Sequence, residues 1–134
     1  MNAMQSAVSL MHRYNAAWEA RDIDGIVAHY HDPIASLRSG ELVVRSTEDL
    51  RVVIGTILPW WTRDGAQPNT YEPLQPLNEA PSTVIVRVHM GEWSLTVPGC
   101  TRLIAPTFFY VTSQRDGVWK IASMISEWPK APPA

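Results

Sequence analysis

The chain closes on two strand-like runs joined by a tight polar turn. Ala105-Pro106-Thr107-Phe108-Phe109-Tyr110-Val111 leads into Asp116-Gly117, and Trp119-Lys120-Ile121-Ala122-Ser123-Met124 returns from it. Ahead of them the N-terminal third carries helical periodicity. Helices first and paired strands last is an α+β order, not the alternation that builds a parallel sheet. It predicts a cone-shaped fold, in which a curved antiparallel sheet wraps around three N-terminal helices and encloses one pocket.

A chain of 134 residues fits one domain, read here as 1–128, with 129–134 an extended Pro-rich tail. At 46% hydrophobic and 18% charged it can bury a core and lacks a disordered composition. A net charge of −2 supplies no basic field for a nucleic-acid backbone. Cys100 is the single cysteine, so no intrachain disulfide is available, and it is read as a packing residue. The N-terminus lacks a basic-then-apolar leader pattern, and no apolar run approaches the roughly 18 residues of a bilayer span. A soluble cytoplasmic protein without nucleic-acid or membrane partners is expected.

Helix one is expected over Gln5–Ala20, with Val8, Met11, Tyr14, Ala17 and Trp18 on one stripe. Asp22 is placed to cap a short second helix through Ile23, Ile26, Val27 and Tyr30, ended by Pro33. Ile34–Arg38 and Glu41–Arg45 flank Ser39-Gly40 at the spacing of a two-residue hairpin. Ser46 or Thr47 caps a third helix with Glu48 and Asp49 in its first turn. That helix carries Leu50, Val53, Ile54, Ile57 and Leu58 at helical spacing and ends near Pro59. Strands are expected over Tyr71–Leu77, Thr83–Glu92, Leu103–Ser113 and Val118–Trp128. In the second of these, Val84, Val86, Val88 and Met90 oppose Ile85, Arg87 and His89.

Arg13-Tyr14, Ala16-Ala17 and Asp22-Ile23-Asp24-Gly25-Ile26-Val27-Ala28 resemble the opening of the bacterial ketosteroid isomerases. Asn78-Glu79-Ala80, Ile104-Ala105-Pro106 and Ser123-Met124 are similar to further pieces of the same family. The resemblance implies the nuclear-transport-factor-like fold of the polyketide-cyclase-like (SnoaL-like) superfamily, usually as a homodimer. That superfamily also includes epoxide hydrolases, dehydratases and non-catalytic binding or assembly modules, so fold leaves function open. The family enzyme moves a proton with a carboxylate base, while a tyrosine and a protonated aspartic acid hydrogen-bond the developing oxyanion.

The tyrosine has a match in Tyr14; the other two groups do not. The oxyanion acid falls at Phe108, which donates nothing, and the base near Leu37 or Arg38. One lost oxyanion donor costs roughly 2.7–4 kcal/mol of transition-state stabilisation, and loss of the base costs more. Steroid isomerisation by the family mechanism is therefore not expected.

The remaining candidates are thinner. Asp32 is the least implausible acid or base, with the alternative of a turn residue before Pro33. His29 and His31 lie two apart, which on a helix points them to different sides, so they are read as a solvated helix end and no metal is assigned. His89 is expected on the outer face of the sheet. Trp18, Tyr30, Trp60, Trp61, Phe108, Tyr110, Met124 and Trp128 with Ser36 and Ser126 would make a mostly apolar pocket with a few polar groups. Phe109 and Trp119 are read as core. Arg38, if it points inward, would select an anion.

Three functions compete. The first is a site for a small apolar or aromatic molecule, anionic if Arg38 faces it, with Tyr14 donating to a ligand oxygen. If catalytic, it is a cofactor-independent isomerase, cyclase or dehydratase. The second is a non-catalytic dimeric module whose pocket is filled by Trp18, Phe108 and Trp128. The third is a carboxylate hydrolase, which needs Asp32 and Arg38 turned inward together.

Overall fold

The computed structural model describes residues 1–38, 40–62, 68–74, 80–91, 93–97, 99–104 and 106–126; for 61, 62, 93, 95, 97, 100 and 102–104 it describes the backbone alone. The tail over 129–134 lies outside these residues.

Helix α1 spans Ala3–Glu19. Asn2 caps it, its side chain accepting from the Gln5 N–H while the Gln5 side chain reaches back to the Asn2 N–H. The buried stripe is Ala7, Leu10, Met11 and Tyr14. Val8, expected on that stripe, is half-buried and turned toward an open groove instead.

Helix α2 spans Ile23–Ala28 and begins at Asp22, whose Oδ1 accepts from the Gly25 N–H at 3.0 Å. Gly25 is needed for that cap: a Cβ there would stand 2.4 Å from Asp22 Oδ2. The helix ends before Pro33 is reached. His29 caps it, its Nδ1–H donating to the Gly25 carbonyl at 2.5 Å, and the chain is already extended at Tyr30.

Strand β1 therefore spans Tyr30–Arg38, with Pro33 inside it. It pairs with β2, Glu41–Arg45, across the turn at Gly40 (φ +86°). Helix α3, Thr47–Ile57, is capped by Ser46 as expected and continues as a 3-10 turn over Leu58–Trp60. Six further strands follow β3, Trp61–Thr62: β4 (Thr70–Pro73), β5 (Thr83–His89), β6 (Trp93–Val97), β7 (Cys100–Ile104), β8 (Thr107–Arg115) and β9 (Val118–Ser126).

The main sheet is six-stranded, curved and open, in the order β2-β1-β9-β8-β5-β4. It is mixed and not purely antiparallel, because β1 runs parallel to β9. That pairing shifts register between Tyr30 and Ala35, around a proline that has no N–H for a ladder. β3, β6 and β7 form a separate three-stranded sheet. The run expected over Leu103–Ser113 is thus two strands broken near Pro106, and β6 was not foreseen. The hairpin β8–β9 turns on Asp116 (φ +51°) and Gly117 (φ +80°), the pair of left-handed residues a tight hairpin needs.

One core joins the helices to the concave side of the sheet. Leu10, Met11 and Tyr14 meet Ile26, Leu50 and Ile54 on the helical side, and Ile34, Val84, Val86, Val88, Phe108 and Ile121 on the sheet. Val84, Val86 and Val88 face inward as their alternation predicts, while His89 is exposed and bonds Thr107 Oγ1 through Nδ1 at 2.8 Å. Phe109 departs from its expected core place. It is half-buried on the outer face, opposite Arg87 and Ile125. Trp119 packs partly buried against the core.

Candidate functional site

Tyr14 lies at the centre of a buried aromatic cluster. Its position in α1 turns it toward the sheet, where Tyr30 from the start of β1 and Tyr110 from the middle of β8 converge on it. Their rings stand 5.4 and 5.6 Å from the Tyr14 ring, edge to face. Trp18, one turn further along α1, and His29 complete the ring of neighbours at 6.4 and 6.2 Å. Phe108 extends the cluster, 6.1 Å from Tyr110. Tyr14, Tyr30, Tyr110 and Phe108 are only 4–6% exposed.

The hydroxyls are linked as well as buried. Tyr14 Oη lies 2.5 Å from Tyr30 Oη. Removal from water raises the pKa of Tyr14, and its polar neighbours Tyr30, Trp18 and Tyr110 work in the opposite direction. Tyr30 and Tyr110 are pushed up well above the ordinary tyrosine value. Burial is the main cause, followed by repulsion from a Tyr14 phenolate and by the hydrogen bonds they make to it. All three are neutral at pH 7, and Tyr14 is the oxygen on which the others converge.

The concave face continues past this cluster along β9. Met124 is the register partner of Tyr110, and Ser126 that of Phe108. Met124 packs partly buried against the core. Ser126 is 3% exposed, and among the described residues its Oγ has no hydrogen-bond partner. On β1, Ser36 pairs with Met124 and Arg38 with Ser126, so these residues share that face at its rim. Ser36 is half-buried and Arg38 is exposed.

Other expectations are corrected. Asp32 is exposed, and its Oδ1 accepts from the Thr47 N–H at 3.1 Å. That carboxylate serves the N-terminus of α3 and stands outside the tyrosine cluster. With Asp32 and Arg38 both exposed, the inward pair that a carboxylate hydrolase needs is not formed. His31 is not solvated: it is 7% exposed, and its Nε2–H donates to the Ser113 carbonyl at 2.8 Å. Trp60 is 36% exposed on the 3-10 turn. The side chain of Trp61 and the whole of Trp128 lie outside the described residues.

The joining of Tyr110 to Tyr14 and the packing of His29 on Tyr14 were not legible in sequence, since neither follows from spacing along one element. An open groove of about 440 Å³, lined by Met4, Val8, His12, Arg13 and Pro73 among others, holds none of the three tyrosines. Among the described residues no helix is long and apolar enough to cross a membrane.

No family model matches this sequence, and no curated protein does. Solved structures do. A ketosteroid isomerase-like protein from Erwinia carotovora atroseptica SCRI1043 superposes with a TM-score of 0.70 at 17% identity, over 92% of this chain and 94% of that one. An NTF2-like protein from Cytophaga hutchinsonii ATCC 33406 gives 0.67 at 19% identity, over 95% and 98%. A protein with a cystatin-like fold from Nostoc punctiforme PCC 73102 gives 0.60 at 11% identity, over 96% and 92%. Identities this low carry the architecture and nothing finer. The helices, the curved mixed sheet and these superpositions together give the chain the NTF2-like fold of the ketosteroid-isomerase-like proteins.

Proposed function

We propose that this protein binds a small, mostly apolar or aromatic molecule against the concave face of its sheet, with the Tyr14 hydroxyl as its polar anchor. One observation carries the reading: the Tyr14 hydroxyl meets that of Tyr30 at 2.5 Å inside a buried cluster that Trp18 and Tyr110 complete with their rings. A hydroxyl has one proton to give and two lone pairs to receive. When Tyr30 donates in that pair, the Tyr14 proton is left for a ligand oxygen, and the donor behind it strengthens that bond.

The anchor alone is half of a proton-transfer site. On the sequence resemblance Phe108 falls where the ketosteroid isomerases carry an acid, and Asp32 serves a helix terminus. The reading is therefore of a binding site, or of a reaction in which the substrate carries its own base. Arg38 at the rim favours a ligand with a negative end. The chain is expected to work as a homodimer through the outer face of the sheet, which exposes Leu37, Leu42 and Val44 at 37%, 69% and 63%.

The near-complete burial of Tyr14, Tyr110 and Phe108 also favours a second reading, a non-catalytic module whose interior is filled. Titration with phenols and aromatic acids, followed by Trp fluorescence, separates the two. Saturable quenching that weakens tenfold or more in Tyr14→Phe supports the anchor. No response from any probe supports the filled interior.

A further inference from the structure

Two polar side chains of β8 and β9 are enclosed on the concave face outside the tyrosine cluster, and of these Thr112 bonds the Val84 carbonyl while Ser126 does not pair among the described residues. Ser126 is 3% exposed, yet among the described residues its Oγ meets no hydrogen-bond partner. A buried hydroxyl left unpaired costs stability, and native interiors pair such groups unless something else claims them. Its direction is fixed by register. Ser126 lies directly opposite Phe108, a buried core residue, and paired residues of antiparallel strands project from the same face. It is also two residues beyond Met124, the partner of Tyr110. At a rise of about 3.4 Å per residue, that places it roughly 7 Å along the strand from the tyrosine cluster.

We infer that Ser126 is the second polar contact of the ligand site and that it sets ligand choice. It would hold an oxygen at the end of the molecule opposite the one held by Tyr14. This rests on the Tyr14 anchor proposed above and narrows the ligand class to compact one-ring or two-ring molecules with oxygen at both ends. A hydroxyaryl ketone fits: its phenol oxygen meets Tyr14, its carbonyl accepts the Ser126 proton, and its ring lies along Phe108, Tyr110 and Met124. An alkylphenol of the same length would leave Ser126 unpaired, and a site built to hydrogen-bond an oxygen discriminates against such a molecule.

The test compares 4-hydroxyacetophenone with 4-ethylphenol by calorimetric titration of the full chain, and adds thermal melts without ligand. The wild type should bind the ketone about tenfold more tightly. In Ser126→Ala, and in the near-isosteric Ser126→Cys, the two affinities should become equal while that for 4-ethylphenol holds. Ser126→Ala alone should melt at a higher temperature, since an unpaired buried hydroxyl has been removed. A ketone preference that survives in both variants overturns the role of Ser126 and leaves the Tyr14 anchor standing. A lower melting temperature for Ser126→Ala also overturns it, by showing that the hydroxyl is satisfied within the fold. Failure of both probes to bind the wild type overturns it together with the anchor.

Discussion

Replacing Tyr14 by Phe removes one oxygen and keeps the ring, so the edge-to-face contacts with Tyr30 and Tyr110 survive. What is lost is the hydrogen-bond partner of the Tyr30 hydroxyl, 2.5 Å away in a core position 5% exposed. Tyr30 then holds a buried hydroxyl with its principal partner gone, which costs about 1–3 kcal/mol. Tyr110 loses a partner as well, so the upper part of that range is expected, about 2–3 kcal/mol. For a domain of this size that is a fall of very roughly 6–15 °C in Tm.

The distinctive part is the coupling. Removing both hydroxyls in Tyr14→Phe/Tyr30→Phe leaves fewer orphaned atoms, so the double variant should be more stable than the sum of the single losses by about 1 kcal/mol or more. Urea unfolding of the four proteins at pH 7 measures it, with equal m-values required for the comparison. Additive losses within about 0.3 kcal/mol would show that the two hydroxyls do not act on each other, and would remove the basis for treating Tyr14 as a convergence point.

Other outcomes follow from the same geometry. Because Tyr14, Tyr30 and Tyr110 all titrate higher in the fold than in the unfolded chain, their contribution is fully present below about pH 10 and is lost as pH rises beyond it, when the unfolded state releases protons first. Urea midpoints should fall steeply above pH 10, and much less so in Tyr14→Phe/Tyr30→Phe; a flat profile to pH 11.5 would contradict the burial of these hydroxyls. Phe108→Ala should cost about 3–4 kcal/mol if the interior is packed around the ring; a loss below about 1 kcal/mol with better ligand uptake would show that Phe108 merely lines open space. Gly25→Ala should cost about 1 kcal/mol by dislodging the Asp22 cap, and Asp22→Ala about the same; an unchanged melting point in both would deny the cap. Leu42→Lys together with Val44→Lys should shift sedimentation at micromolar concentration toward the monomer, and unchanged sedimentation would remove the outer face from any self-association.

Much of the architecture was legible because it is local. The capping residues Asp22 and Ser46, the apolar period of α3 and the Asp116-Gly117 turn each act within one or two turns of chain. Tyr14 could be placed on the inner stripe for the same reason. What failed depends on distant partners. Tyr30 and His31 read as the end of a helix, because nothing nearby shows that β9 lies alongside to pair with Tyr30 or that the Ser113 carbonyl takes up His31. Trp93–Val97 sits between Gly91 and Pro98-Gly99, breakers that concealed a short strand stabilised by β3 and β7. Asp32 looked chemically available only because the α3 N-terminus that takes up its carboxylate is brought to it by the fold. Ser126 could be assigned a face by alternation, but its lack of a partner among the described residues is a property of packing.

The central claim is that a ligand oxygen meets the Tyr14 hydroxyl on the concave face of the sheet. A crystal structure of the protein grown with 4-ethylphenol tests it most directly. The account predicts the phenol oxygen within about 2.5–3.2 Å of Tyr14 Oη, with the ring against Tyr110 and Phe108. Ligand confined to the groove at Met4, Val8 and His12, or a tyrosine cluster closed to it in protein saturated with the phenol, would contradict it.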